Sequence, residues 1–226
     1  MDAVSIIALS MGAAWASGIN LYAAVFMLGY MGTTGHIVLP AELQVLSDPL
    51  VMTAAAVMYF VEFFADKVPG VDTGWDTLHT FIRIPAGAML AASAVGDVSP
   101  AIELTAGLLG GGLAAATHAT KAGSRLLINT SPEPFSNWSA SITEDLLVIA
   151  GLWTALTHPV WFLAALLIFV VLMIWLLPRL WRLIKTVLQY IGNWLGRCKK
   201  PEKAENISTK TTEPLIVKSV TDETKR

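Results

Sequence analysis

The chain has 226 residues, of which 54% are hydrophobic and 14% charged, with a mean hydropathy of +0.60. Soluble domains carry about 25% charged residues, so this composition excludes an ordinary soluble fold and points to an integral membrane protein. The net charge of −2 gives no basis for nucleic-acid binding, and one cysteine, Cys198, excludes an internal disulfide framework and an all-cysteine metal site.

A membrane helix needs about 20 mostly apolar residues. The first such run is Ala3 to Tyr30, interrupted at Ser17-Gly18-Ile19-Asn20. It lacks the basic flank of a cleavable leader, so it is expected to stay as a membrane helix. A loop from Gly32 to Asp48 contains no Lys or Arg, and Pro49 to Ala65 forms the second run. Tyr59 to Gly87 then carries Glu62, Asp66, Lys67, Asp72, Asp76, His79 and Arg83, with Pro69-Gly70 as a breaker. A re-entrant or broken helix is expected there, because irregular backbone at membrane depth needs protein or a water-filled cavity around it. Ile84 to Val95 is a third run, which takes in Arg83 if it begins near Leu78. Ala101 to Thr120 is a fourth, rich in Gly and Ala; small residues let helices approach closely in lipid, which predicts a central position. A polar connection from Lys121 to Trp138 leads to a fifth run, Ser139 to Leu156, opening on Glu144 and Asp145. The sixth, Pro159 to Leu177, is uniformly large and apolar and suits a lipid-facing helix.

The expected fold is therefore an all-α polytopic helix bundle of about six spans over residues 1–178. Residues 179–198 read as an amphipathic helix on the bilayer surface, with Leu180, Ile184, Val187 and Ile191 on one face and Trp181 and Trp194 at headgroup level. The polar, charged stretch 199–226 reads as a disordered cytoplasmic tail. Basic residues favour the cytoplasmic side. Lys67, Arg83, Lys121, Arg125 and the cluster after Pro178 all fall on one side of a six-span arrangement, which places both termini in the cytoplasm.

Three stretches carry the candidate chemistry. Glu62 and Asp66, and likewise Asp72 and Asp76, are spaced four apart, and His79 follows Asp76 by three, so each set shares a helical face. His118, Lys121 and Arg125 follow a three-four spacing that presents all three on one face, either to an anion or to those acids. Asn129 to Trp138 is rich in hydroxyls and amides and precedes Glu144. An ionisable residue in a membrane reads as functional by default, and Glu62 lies deepest. Gly18 and Asn20 mark a helix break, where Asn20 either frees backbone carbonyls for a ligand or bonds across helices. There is no dinucleotide fingerprint, P-loop, zincin motif or nucleophile elbow, so no catalytic residue and no cofactor is assigned.

The motifs Trp15-Ala-Ser-Gly-Ile-Asn-Leu-Tyr22, Glu62-Phe-Phe-Ala-Asp-Lys-Val-Pro-Gly-Val-Asp72, Trp75-Asp-Thr-Leu-His-Thr-Phe-Ile-Arg83, His118-Ala-Thr-Lys-Ala-Gly-Ser-Arg125 and Asn129-Thr-Ser-Pro-Glu-Pro-Phe-Ser-Asn137 resemble the bacterial membrane proteins grouped as domain of unknown function 4126. The resemblance covers about the first 185 residues and implies a multi-pass protein of the bacterial inner membrane, without an established activity. Glu62 ahead of Pro69-Gly70, with Phe81-Ile-Arg83-Ile-Pro85, is more loosely similar to the DedA-type lipid-carrier transporters.

Three functions fit these features. The first is a small secondary transporter or lipid or anion translocase, in which Glu62 or Asp66 carries a coupling proton or cation and Arg83, Lys121 and Arg125 hold an anionic molecule or headgroup. The second is a membrane enzyme with a divalent metal on Asp66, Asp72, Asp76 and His79 over a lipid phosphate. The third is a non-catalytic scaffold whose charges only pair with one another. Substrate, coupling ion and oligomeric state are not legible.

Overall fold

The computed structural model describes residues 1–68, 70–96, 98–129 and 134–198. The described residues are helical, with no strand among them. In order they form α1 (Ala3–Thr33), a short 3-10 helix (Ala41–Ser47), α2 (Pro49–Ala65), α3 (Val71–Val95), α4 (Pro100–Ile128), α5 (Pro134–Thr157) and α6 (Pro159–Cys198). Local chemistry sets most of the starts. Four helices begin at a proline, whose missing N–H falls where a helix has no acceptor for it. Asp48 and Ser99 cap α2 and α4 by accepting from Leu50 N and Ile102 N. Gly70 precedes α3 at φ +89, a conformation that side chains with a Cβ avoid.

Four helices are long and apolar enough to cross a membrane: α1, α3, α5 and the first 28 residues of α6. A fifth is obtained if the 3-10 helix and α2, bent by 64°, count as one span. The stretch read as a broken or re-entrant helix supplies the end of α2, a turn at residues 66–68 and the first 17 residues of α3. Arg83 therefore lies inside a helix. The expected polar connection from Lys121 to Trp138 also shrinks: α4 runs on to Ile128 and α5 starts at Pro134. Arg83, Lys121 and Arg125 are all buried, so they are not loop charges, and of the basic residues used to orient the chain only Lys67 and those after Pro178 remain.

The centre of the bundle is α1, not the Gly-rich α4. It packs against α2, α3, α4 and α5 and buries Ala8, Ala13, Ala14, Ala16, Ser17 and Gly18. It shares the small-residue character that was read as central in α4, but carries it around most of its surface. α4 turns one face to α3 and α1, while Leu104, Leu108 and Leu109 face outward. α1 and α4 approach closely at Gly18, where an added Cβ would stand 2.6 Å from the Ala114 carbonyl oxygen and 2.8 Å from Thr117 Cβ. Gly18→Val is expected to destabilise the bundle by about 1–3 kcal/mol through overpacking, read as a lower melting temperature in detergent.

On α6, Phe162, Leu166 and Met173 are buried while Trp161, Leu167, Ile168, Val171 and Leu172 are exposed, which matches a lipid-facing helix. Trp15 of α1 meets Phe162 and Phe169 edge-on, at centroid distances of 5.9 and 6.1 Å. α6 continues through Pro178 to Cys198, so the stretch expected as a separate surface helix is not set apart by a turn. The chain up to Val187 forms one compact unit, and the tail from 199 lies outside the described residues.

Candidate functional site

The charged side chains of α2, α3, α4 and α5 converge on one another. Tyr59 and Glu62 of α2 and Asp66, which caps its end, follow a three-four spacing and share a face, and Glu62 is fully buried. α3 offers Asp76 and Arg83, seven residues apart and so two turns along one face. α4 presents His118, Lys121 and Arg125, all buried, as their spacing predicts. α5 contributes Asn137, Ser141, Glu144 and Asp145.

Lys121 is at the hub. Its Nζ lies 3.3 Å from Glu62 Oε1, 3.2 Å from Asp66 Oδ2, 3.5 Å from Glu144 Oε2 and 3.8 Å from Asp76 Oδ1. It also donates to the Ile19 carbonyl at 3.0 Å. Arg83 lies to one side, donating to Glu62 Oε1 at 2.5 Å and to Asp76 Oδ1 at 3.0 Å. Arg125 lies to the other. It forks onto Glu144, Nε to Oε1 at 3.2 Å and Nη2 to Oε2 at 2.8 Å, and also donates to the backbone carbonyls of Asp66 and Asn137. Four carboxylates thus face three cations, and among the described residues the second oxygens of Glu62, Asp66 and Asp76 are buried and accept no hydrogen bond.

His118 joins the network through its ring. Arg83 Nη1 approaches His118 Nδ1 at 3.1 Å. A guanidinium only donates, so Nδ1 accepts and the ring hydrogen sits on Nε2. That nitrogen faces the Thr80 hydroxyl at 2.8 Å and the Asp76 carbonyl at 3.1 Å. His79 does not join. Its Nδ1 donates to the Trp75 carbonyl at 2.9 Å, leaving Nε2 to accept from Tyr22 OH at 3.0 Å. Asn129, just past α4, ties α3 to α5, donating to Thr73 Oγ1 at 3.1 Å and accepting from Asn137 Nδ2 at 2.7 Å. The Asp72 side chain lies outside the described residues. In the turn after α2, burial pushes the Lys67 ammonium below the usual lysine range; its Nζ donates to the Phe63 carbonyl at 3.0 Å.

The break in α1 does both things open to it. Asn20 leaves helical geometry at φ −146, ψ 99, and its Oδ1 accepts from Ala23 N at 3.0 Å. In a regular helix that N–H would serve the Ile19 carbonyl; here the carbonyl accepts from Lys121 instead. Across the helix interface, Asn20 Nδ2 donates to Asp145 Oδ1 at 3.1 Å, and Tyr59 OH donates to Asp145 Oδ2 at 3.0 Å.

Tyr59 and Tyr22 were not among the candidates drawn from the sequence; Asn137 lay inside the Asn129 to Trp138 stretch and Asp145 beside Glu144, neither singled out. The three-four rule that selected His118, Lys121 and Arg125 also links Tyr59 to Glu62 and Asp66, and Asn137 to Ser141 and Glu144, so the signal was present. The metal reading gains no geometry: among the described residues no group of three or more His, Cys, Asp and Glu could hold an ion, because cations separate the acids.

The family described as Domain of unknown function (DUF4126) matches residues 7–179. The chain belongs to this DUF4126 family. No curated protein and no solved structure matches it detectably, so the looser DedA-type likeness receives no support from these comparisons. The DUF4126 match spans every residue of the charge network.

Proposed function

We propose that this DUF4126 protein is a multi-pass membrane protein that works as a small secondary transporter, with the buried charge network as its proton- or cation-exchanging site. One observation carries the reading: three buried carboxylates and the partly exposed Glu144 meet three buried cations centred on Lys121, beside a helix break that gives up a backbone carbonyl. Ionisable groups are expensive in a bilayer interior and mark ion pathways, and carbonyls exposed at broken helices are a feature of transporter sites.

The charge balance selects the ligand class. Every cation in the network is engaged by carboxylates, and the acids are in excess. That favours a proton or small cation over an anionic solute or headgroup, which would have to displace a carboxylate to reach Lys121 or Arg125.

The topology proposed is six spans. α4 carries Lys121 and Arg125, whose charge its neighbours neutralise, and its 29 residues reach about 43 Å at 1.5 Å per residue, more than the roughly 30 Å hydrocarbon core. By the same measure the first 28 residues of α6 reach about 42 Å, long enough to carry the chain past the hydrocarbon, in keeping with an interfacial role for the basic, Trp-bearing stretch after Pro178. Both termini are placed in the cytoplasm by Lys67 and by Arg179, Arg182 and Lys185. A bacterial inner-membrane location follows from the family resemblance alone.

Proteoliposomes with an internal pH dye and an imposed membrane potential test this. The protein is expected to dissipate the potential with proton movement, and Glu62→Gln to slow it by at least about tenfold, equivalent to 1.36 kcal/mol on a barrier. Equal rates in the two proteins would remove Glu62 from the site.

A further inference from the structure

Asp145 stands apart from the network. It is buried near the middle of α5, as Asn20 is near the middle of α1. Both of its oxygens accept from neutral donors, Asn20 Nδ2 and Tyr59 OH, and among the described residues no ion pair reaches it. The charged groups that face it are all committed elsewhere. Lys67, in the turn after α2, donates to the Phe63 carbonyl and lies over the Phe63 ring. Lys121 of α4 is shared among four acids. Asp66 and Glu62 of α2 add negative charge, and Glu144, its neighbour on α5, is bound to Arg125. The network has no positive charge to spare, and a buried carboxylate without a cation neutralises itself by taking a proton.

The break in α1 links this acid to the network. Asn20 Nδ2 holds Asp145 while Asn20 Oδ1 occupies Ala23 N–H, and the Ile19 carbonyl left over is the one that Lys121 binds. One residue therefore touches the lone acid on one side and, through the backbone it distorts, the hub lysine on the other.

We propose that Asp145 is the proton-exchanging carboxyl of this protein and that the α1 break at Asn20 couples its protonation to the Lys121 network. The proposal rests on the proton-exchanging reading of the site. The step is a simple protonation: an aqueous proton bonds to one carboxylate oxygen and no other bond is made or broken. A proton on Oδ2 lets the Tyr59 hydroxyl turn and accept. On Oδ1 it ends the Asn20 bond, because an amide nitrogen cannot accept. That frees the Asn20 side chain and with it the local backbone that presents the Ile19 carbonyl to Lys121.

Infrared spectroscopy of the purified full chain in lipid bilayers, taken across a pH series, reads this directly and independently of flux. Above about pH 6, where exposed Asp and Glu are ionised, the wild-type protein is expected still to show the carbonyl stretch of a protonated carboxyl, which fades as pH rises further. Asp145→Asn should abolish that band, and Glu62→Gln should retain it. A band that persists in Asp145→Asn, or its absence from the wild-type protein at every pH, overturns the assignment. If Asp145→Asn does not fold, Tyr59→Phe and Asn20→Ala each remove one hydrogen bond from the carboxyl. Each should then shift the midpoint of the band by about one pH unit or more, the scale of a hydrogen bond to a charged group; a midpoint unmoved in both variants overturns the assignment. Loss of proton flux in the liposome assay with the band intact counts against transport and leaves Asp145 as the proton site, so the two readings fail separately.

Discussion

Arg83→Met is expected to destabilise the bundle by about 3–5 kcal/mol, the effect of removing one partner from a buried ion pair. Arg83 is fully buried, as is Glu62, and its guanidinium serves Glu62, Asp76 and His118 at once. Without it Glu62 keeps only Lys121, and Asp76 keeps only Lys121 at 3.8 Å. Arg83→Lys is not a rescue, because a single ammonium lacks the fork that reaches two carboxylates. In Arg83→Met/Glu62→Gln the loss should be smaller than the sum of the single losses, since the two residues share one network. Denaturant unfolding followed by circular dichroism measures this. A loss below about 1 kcal/mol, the range of exposed pairs, would contradict the buried placement of Arg83.

Lys121→Met carries the second large effect. It leaves four carboxylates facing two cations and returns the Ile19 carbonyl without a donor. A loss of about 3–5 kcal/mol is again expected, but with a distinctive pH dependence. The orphaned carboxylates are neutralised when protonated, so the deficit relative to the wild-type protein should be smallest at acid pH and grow as pH rises. A deficit of the same size at every pH would mean that Lys121 contributes packing rather than charge. Proton flux should fall along with stability at neutral pH.

The apolar spans were legible because lipid-facing helices are read directly from composition. α6 needed no partner to be recognised: most of its large side chains face outward. The buried charges show where such reading stops. A hydropathy window counts Lys121 and Arg125 as solvent-seeking and ends α4 near Thr120. Their partners Glu62, Asp66 and Glu144 lie on other helices, up to 59 residues away for Lys121 and Glu62, and only the folded chain places them in contact. The same blindness turned Arg83, Lys121 and Arg125 into topology markers, although each is spent on an acid inside the bundle. Spacing, by contrast, survived folding. The face of His118, Lys121 and Arg125 and that of Glu62 and Asp66 are the faces that meet. Asp145 stood in the sequence only as the neighbour of Glu144 near the start of the fifth run, with nothing to single it out. α5 begins at Pro134, which moves Asp145 to mid-helix, where an acid paired only with an amide and a phenol stands out.

Asn20 shows how a weak sequence signal becomes specific. Gly18 and Asn20 in an apolar run suggested either exposed carbonyls or an interhelical bond. In the folded chain the two are one event, since the side chain that takes Ala23 N–H is also the one that reaches Asp145.

The central claim is that this network exchanges protons across the bilayer and does not merely hold helices together. The most direct measurement is the transient current of the wild-type protein, reconstituted on a solid-supported membrane, after a step in pH. The structure's charge balance leads to a current whose sign reverses when the pH step is reversed and which is lost in Glu62→Gln. No current from folded wild-type protein in either direction would contradict it.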